Sequence, residues 1–135
     1  MNSIFGTLEE TQRHFDKRAE LYNRRDFDGI LNGLSEDIEI HYCDLPVIHG
    51  RSEYEKILND RFSKIIHYDL KKIVRFINGN FICNDLEIDV LTTASDRKQV
   101  KRAIELLTYD DDARIRKWEM VANDWPEGLS SRMIR

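Results

Sequence analysis

From residue 68 onward the sequence is a succession of four long runs of strand-forming residues, separated by short turn signals. The runs are expected at about Tyr68–Ile77, Phe81–Thr93, Gln99–Tyr109 and Ile115–Val121. The dipeptide Asn78-Gly79, in the first gap, is a strong signal for a two-residue β-hairpin turn. Successive strands joined by such short turns favour antiparallel pairing, so the second half of the chain is constrained to form one sheet.

The beginning of the chain is predicted to be helical. Thr7 and Glu10 form a T-x-x-E capping box, which predicts a helix that starts there and runs to about residue 23 or 24. Asp26 is placed to cap a second, shorter helix that ends near Gly33. Two helices therefore precede the first strand.

One strand and a third helix complete the first half. Between Asp37 and Tyr42 apolar and polar residues alternate strictly, as they do in a half-buried strand. Ser52 and Glu55 form a second capping box, and the helix that it predicts ends near Lys64. The order helix, helix, strand, helix and four strands indicates an α+β domain in which helices cover one face of an antiparallel sheet.

Length, charge and cysteine spacing exclude several classes of protein. A chain of 135 residues with 34% charged residues suits one globular domain, and its net charge of −4 disfavours nucleic acid and membrane surfaces as partners. No apolar run reaches the ~20 residues that cross a bilayer, and no signal-peptide pattern is seen, so a cytoplasmic location is expected. Cys43 and Cys83 lack a CxxC spacing and are expected to be buried thiols. The missing CxxC spacing argues against a zinc site, and the absence of a glycine-rich phosphate loop argues against a nucleotide cofactor. No metal and no cofactor are therefore expected.

Three segments carry recognisable motifs. Tyr22–Ile40 contains the step Asp26-Phe27-Asp28 between a helix and a strand, Gly50–Tyr54 reads G-R-x-x-Y, and Ala103–Ile115 holds a strand, an acidic turn and the start of another strand. In this order they resemble the nuclear-transport-factor-two-like superfamily, which includes ketosteroid isomerases, limonene epoxide hydrolase and the SnoaL polyketide cyclases. One position departs from the pattern, since members usually carry glycine where Ala113 stands, and the turn is therefore expected to differ in shape.

The resemblance implies a single SnoaL-like domain over residues 1–135, with a core at about 7–125 and a flexible tail at 126–135. Its fold would be a cone-shaped, curved antiparallel sheet packed on three helices from the N-terminal half, the cystatin-like roll. Such a sheet encloses a deep, mostly apolar pocket between its concave face and the helices.

Strand alternation predicts which side chains face that pocket. In the first strand the inward set includes Ile40 and Tyr42, and in the second long run of the C-terminal half it includes Ile88 and Val90. In the next run alternation leaves two sets open, and the resemblance selects the set with Glu105, because the family has an inward acidic side chain there. The candidate ligand-binding residues are Tyr42, Trp118, Met120, Arg18, Tyr22, Tyr54, Ile40, Ile88 and Val90.

Glu105 is the leading candidate for chemistry. In the ketosteroid isomerases the matching acid is held neutral by an apolar site and donates a hydrogen bond to a developing oxyanion. The alternative is a cross-strand ion pair of Glu105 with Arg102, Arg116 or Lys117 on a solvated face. The residues alone favour the second interpretation and the resemblance favours the first, so both stay open.

The other isomerase residues do not carry over, because Tyr42 stands at the place of the catalytic aspartate and Arg18 at that of the tyrosine. Asp44 is a candidate general base if its loop folds over the pocket mouth, although an Asp before a Leu-Pro step is commonly a turn former. His49 is a second candidate for proton transfer, whereas His41 is expected to face outward. The spacing of these three residues matches no metal site.

These assignments favour a cofactor-independent enzyme that transfers a proton on an apolar, oxygenated small molecule, such as an isomerase, cyclase or dehydratase. The alternative is a non-catalytic ligand-binding or protein-interaction module, since this fold is also used for binding alone. Ile104, Leu106 and Val121 are apolar on the outer sheet face, where relatives form dimers, so a homodimer through that face is expected.

Overall fold

The computed structural model describes residues 1–123, and the tail predicted at 126–135 lies outside this range. The described part contains α1 (Leu8–Asn23), α2 (Phe27–Asn32), β1 (Leu34–Tyr42), β2 (Ile48–His49), α3 (Arg51–Ser63), β3 (Ile65–Asn78), β4 (Phe81–Thr92), β5 (Gln99–Tyr109) and β6 (Ile115–Ala122). None of these helices combines the length and the apolar character that crossing a membrane requires. The predicted α+β class is confirmed, and β2 is an addition to the predicted elements.

The strands form one open, curved sheet in the order β2-β1-β6-β5-β4-β3. All neighbours are antiparallel except β1 and β6, which run parallel with Ile40 beside Trp118. The sequence predicted an antiparallel sheet, and the pairing of β1 with β6 is the one parallel contact among the described strands. Turn signals report only the direction of strands that follow each other along the chain, and β1 and β6 come from opposite halves of it.

Side-chain caps account for the starts of the first two helices. Thr7 Oγ1 accepts a hydrogen bond from the Glu10 N–H, and a Glu10 carboxylate oxygen accepts one from the Thr7 N–H, both at 3.1 Å. Asp26 accepts from the Gly29 N–H at 3.0 Å and so caps α2. Both predicted caps are confirmed.

The third predicted cap is wrong. Gly50 is the N-cap of α3, with a φ of +91° and no side-chain hydrogen bond, and Ser52 already lies inside the helix. A carboxylate oxygen of Glu53 instead accepts from the His49 N–H at 3.1 Å. Because glycine alone adopts such a φ without strain, Gly50 decides where this helix starts.

Two turns position the C-terminal hairpins. The β3–β4 hairpin closes at the pair Asn78 and Phe81, so its two central residues are Gly79 and Asn80, one position later than the predicted Asn-Gly turn. The turn before β6 contains Ala113 with a φ of +58°. Ala113 therefore holds the left-handed conformation that glycine adopts readily, and the turn keeps a shape suited to glycine at some cost in strain.

Helix α1 lies along β3, one of the two edge strands of the described sheet, and hydrogen-bonds to its free edge. The amide of Gln12 donates to the Lys72 carbonyl at 2.8 Å and accepts from the Val74 N–H at 2.9 Å. Asn23 makes the same pair of bonds with Leu70, at 3.1 and 2.7 Å. These amides satisfy edge groups that would otherwise invite another strand, and they fix the part of β3 that carries Lys72 beneath α1.

Candidate functional site

A cavity of about 460 Å³ opens between the inner sheet face and helix α3. Of the predicted ligand-binding residues, the following line it: Tyr22, Tyr42, Tyr54, Ile88, Val90, Trp118 and Met120. Strand alternation accounts for the five members on strands, since each lies on the inward set predicted for its strand. Their apolar and aromatic character suits a small organic molecule.

The predicted proton carriers lie elsewhere. Asp44 is exposed in the turn after β1, and His49 is exposed on β2. Because Ile48 pairs with Ile40 on the inward face, its neighbour His49 points to the opposite face. Neither residue lines the cavity.

His41 faces outward as expected, and its Nε2 lies 2.9 Å from a Glu39 carboxylate oxygen. Among the described residues, no three or more His, Cys, Asp or Glu side chains are grouped so that they could hold a metal ion. Cys43 is exposed and Cys83 half-buried, which corrects the expectation that both thiols are buried.

Two further predicted ligand-binding residues are also absent from the lining. Ile40 is part of the packed core. Arg18 is buried on α1, where its guanidinium donates to the carbonyls of Ile30 at 3.2 Å and Gly29 at 3.4 Å. Arg18 therefore ties α1 to α2 instead of facing a ligand.

Glu105 is fully buried on β5 at 0% exposure, which confirms that it points inward. Its two oxygens accept from the Lys72 ammonium group at 3.2 and 2.9 Å, and one of them also accepts from the Asn84 amide at 2.9 Å. The interpretation of Glu105 as part of an ion pair on a solvated face is wrong, because its side chain is fully buried, and Arg102 pairs with Asp85 on the outer face. The interpretation of Glu105 as an isolated neutral acid in an apolar site is wrong too, because it forms a buried ion pair with Lys72.

Lys72 is the principal residue that the sequence prediction missed. It is 5% exposed, and its Nζ lies about 6 Å from three aromatic rings, at 5.8 Å from the Phe15 and Tyr22 rings and 6.0 Å from Trp118. Burial lowers the pKa of Lys72, and the nearby carboxylate of Glu105 acts in the opposite direction. The signal was present, because alternation places Lys72 between the apolar Leu70 and Val74 on one face of β3.

The ion pair is arranged with its cation toward the cavity. Lys72 belongs to the cavity lining, whereas Glu105 and Asn84 lie behind it. A ligand in the cavity would therefore meet the amine first and the carboxylate only through it. Of the two partners of the ion pair, Lys72 is therefore the one that a bound ligand would contact.

Neutral hydrogen-bond donors accompany the amine. The hydroxyl groups of Tyr22 and Tyr54 lie 3.1 Å apart in the buried part of the lining. Burial raises the pKa of Tyr54 to about 12 and that of Tyr22 well above its usual value, so both hydroxyls keep their protons at neutral pH. The indole N–H of Trp118 is buried without a hydrogen-bond partner among the described residues. These donors suit a ligand that brings an oxygen atom.

The mouth of the cavity, formed by its exposed lining residues, is charged. Asp60 and Lys64 form an ion pair at 3.3 Å there, whereas Lys101 of β5, which also belongs to the lining, is half-buried. Arg61 lies on α3 with its guanidinium carbon 5.7 Å from the centre of the Tyr42 ring. Sequence reasoning missed Asp60, Arg61 and Lys64, since exposed charges at a helix end carry no signal of a cavity.

Comparisons with known proteins identify the fold. No family model matches the chain, and no curated protein sequence matches it. Among solved structures, a Xanthomonas campestris pv. campestris protein assigned as a polyketide cyclase superposes with a TM-score of 0.73 at 16% identity, over 87% of this chain and 93% of that one. An LEH-like epoxide hydrolase from M. tuberculosis superposes with a TM-score of 0.69 at 14% identity, over 83% and 81% of the two chains.

An NTF2-like protein of unknown function from Burkholderia pseudomallei K96243 superposes with a TM-score of 0.70 at 17% identity, over 80% of this chain and 86% of that one. Identities this low establish a shared fold and leave the chemistry to be argued from the cavity.

Proposed function

We propose that this chain, which has the nuclear-transport-factor-two-like fold, binds an apolar, oxygenated small molecule in its cavity and transfers a proton on it without a cofactor. The observation that carries the proposal is the buried Lys72–Glu105 pair, whose amine faces an otherwise largely apolar space. Two structural relatives that bear the names of a polyketide cyclase and an epoxide hydrolase support small-molecule catalysis in this fold.

Lys72 is the proton carrier in this proposal. Burial favours the neutral amine form of Lys72, which arises when the ammonium group loses a proton to solvent. The Glu105 carboxylate stabilises the ammonium group that forms again when the amine takes up a proton. The free amine takes a proton from a carbon next to the substrate carbonyl and later returns it to another atom of the same molecule, so the enzyme is unchanged after one turnover.

The substrate oxygen is stabilised by neutral donors. Removal of the carbon-bound proton places negative charge on the carbonyl oxygen. Tyr22 and Tyr54 share one hydrogen bond, so the hydroxyl that accepts in it keeps its own proton to donate to this oxygen. Because burial raises the pKa values of both hydroxyls, either one donates without losing its proton. The unpartnered indole N–H of Trp118 is a second donor.

The test is proton exchange on an enolisable ketone. 2-Tetralone, an apolar bicyclic ketone, is incubated with the protein in D2O, and deuterium uptake is followed by mass spectrometry. We expect wild type to accelerate uptake over buffer by about 100-fold or more. The double variant Lys72→Met/Glu105→Gln, which removes both charges together, should lose this acceleration. Lys71→Met is the matched control, because Lys71 is exposed and follows the alternation of β3 to the other face.

The dependence on pH is a second readout. Since the amine form of Lys72 is the base, the exchange rate should increase with pH, and burial should bring the increase to a lower pH than the 10.5 of an ordinary lysine. Equal rates for wild type and the double variant would show that Lys72 is not the base.

A non-catalytic ligand-binding protein is the second candidate, and the lining itself favours it. Among the described lining residues, Asp60 is the one carboxylate and is paired with Lys64, and no histidine is present. Neither a histidine nor an unpaired carboxylate is therefore present among the described residues that line the cavity. Saturable binding of 2-tetralone without deuterium uptake would support this candidate.

A further inference from the structure

The charges at the cavity mouth are not balanced. Asp60 is occupied by Lys64 at 3.3 Å. Arg61, one residue before Phe62 in α3, has neither an ion pair nor a side-chain hydrogen bond with any described residue. This excess positive charge is local, because the whole chain carries a net charge of −4.

Helix stability explains only part of this arrangement. Arg61 is the basic residue in the last turn of α3, where a cation interacts favourably with the helix dipole. That effect does not require the side chain to reach β1, yet the guanidinium lies over the Tyr42 ring at 5.7 Å. Stacking on an aromatic face leaves the N–H groups at the edge of the guanidinium available to a ligand.

The charge of Arg61 also reaches the interior of the cavity. Burial raises the pKa values of Tyr54 and Tyr68, and the charge of Arg61 opposes this effect on both hydroxyl groups. Deeper in the cavity, the charge of Lys72 is already compensated by Glu105. An anionic group on a ligand is therefore attracted to the mouth and not to the inner end.

We propose that the molecule bound in this cavity carries a carboxylate, which Arg61 binds at the mouth while the apolar body and the reacting oxygen point inward toward Lys72. This inference rests on the proposed function and adds a substrate class to it, an aromatic or alicyclic keto acid. A guanidinium matches a carboxylate with two parallel hydrogen bonds. A phosphate ester suits the mouth less well, because the free carbonyl groups at the C-terminal end of α3 repel a doubly charged group.

The test compares two probes that differ in one charge. 2-Naphthoate and 2-naphthamide have the same ring system, and their dissociation constants are measured by fluorescence titration at low ionic strength. Charge-assisted hydrogen bonds predict that wild type binds 2-naphthoate about tenfold more tightly than 2-naphthamide. Arg61→Met should remove this preference, so that the two probes bind with equal affinity. Arg61→Lys should restore part of it.

Lys56→Met is the matched control, since Lys56 is an exposed cation of the same helix that does not line the cavity. It should retain the full preference. Equal affinity of wild type for both probes, or a preference that survives Arg61→Met, overturns the inference and leaves the cavity proposal intact. Failure of both probes to bind overturns the cavity proposal as well, so the two failures are distinguishable.

Discussion

The Lys72–Glu105 pair predicts a strongly non-additive response to mutation. Lys72→Met leaves a fully buried carboxylate with the Asn84 amide as its remaining donor at 2.9 Å. Glu105→Gln leaves the Lys72 ammonium in a ring of aromatic side chains without a counter-charge. Removal of one partner of a buried pair costs about 3–5 kcal/mol, because the other charge stays buried and uncompensated. Against a typical stability of about 5–15 kcal/mol, each single variant is near the limit of folding.

The double variant Lys72→Met/Glu105→Gln removes both charges at once. The amide that replaces the Glu105 carboxylate keeps an oxygen that accepts from the Asn84 amide, so the Asn84 donor stays paired. The double variant should therefore be more stable than either single variant. The coupling energy in this cycle should be at least about 3 kcal/mol, measured by equilibrium urea unfolding of all four proteins.

The outer face supplies a control at the same distance. Arg102 and Asp85 are also 2.9 Å apart, but the Arg102 side chain is 45% exposed. Arg102→Met should change the free energy of unfolding by no more than about 1 kcal/mol, since exposed pairs contribute little. If the single effects at Lys72 and Glu105 instead add up to the double effect within about 0.5 kcal/mol, the two side chains do not act as a buried pair and the reasoning fails.

Four other predictions follow from the described residues. Burial is the larger cause and nearby cations the smaller one that together lower the pKa of His14 from 6.5 to about 4. The unfolded chain therefore binds a proton on His14 more readily than the folded chain, and the free energy of unfolding decreases as the pH drops from 6.5 to 4. His14→Phe should remove about 2–3 kcal/mol of that loss in urea titrations across this range, and an unchanged pH profile would contradict it. Tyr22→Phe leaves the Tyr54 hydroxyl unpaired and should lower the free energy of unfolding by about 1–2 kcal/mol. Adding Tyr54→Phe to this variant should lower it by less than a further amount of about 1–2 kcal/mol, because no unpaired hydroxyl then remains at this pair. Ala113→Gly should stabilise the chain by about 1 kcal/mol, because it relieves a φ of +58°, and a lower melting temperature would refute this. The homodimer expected through the outer face predicts that wild type sediments as two chains and Val121→Lys, at a side chain that is 69% exposed, as one.

Local rules predicted most of the fold. The capping groups of Thr7 and Asp26 act over three residues, so the sequence shows them directly. Alternation likewise predicted the inward direction of Ile88 and Val90. The prediction was wrong where two local signals for the same helix start disagreed. Glycine at position 50 adopts a φ that starts α3 before the capping box of Ser52 can act.

The candidate site was harder to predict because it depends on contacts across the sheet. Lys72 on β3 and Glu105 on β5 are separated by β4, and only the register of three strands brings them together. His49 was misplaced because a two-residue strand is too short to show alternation. A bulge between Val74 and Phe76 also shifts the register of β3 relative to β4, and no residue type in that segment predicts it.

The retention of a buried ion pair is itself an argument for function. Buried pairs replaced by apolar residues of similar size often leave a protein as stable or more stable by about 1–4 kcal/mol. Lys72 Nζ lies about 6 Å from three aromatic rings, and methionine is an unbranched apolar side chain that makes favourable contacts with such rings. The pair is therefore not needed to fill the core, and its amine faces the cavity. If a Lys72→Met/Glu105→Gln chain folds as stably as wild type and no longer exchanges protons on a ketone, the charges serve the ligand and not the fold. If it folds stably and keeps that activity, the base must lie among the other polar groups of the cavity.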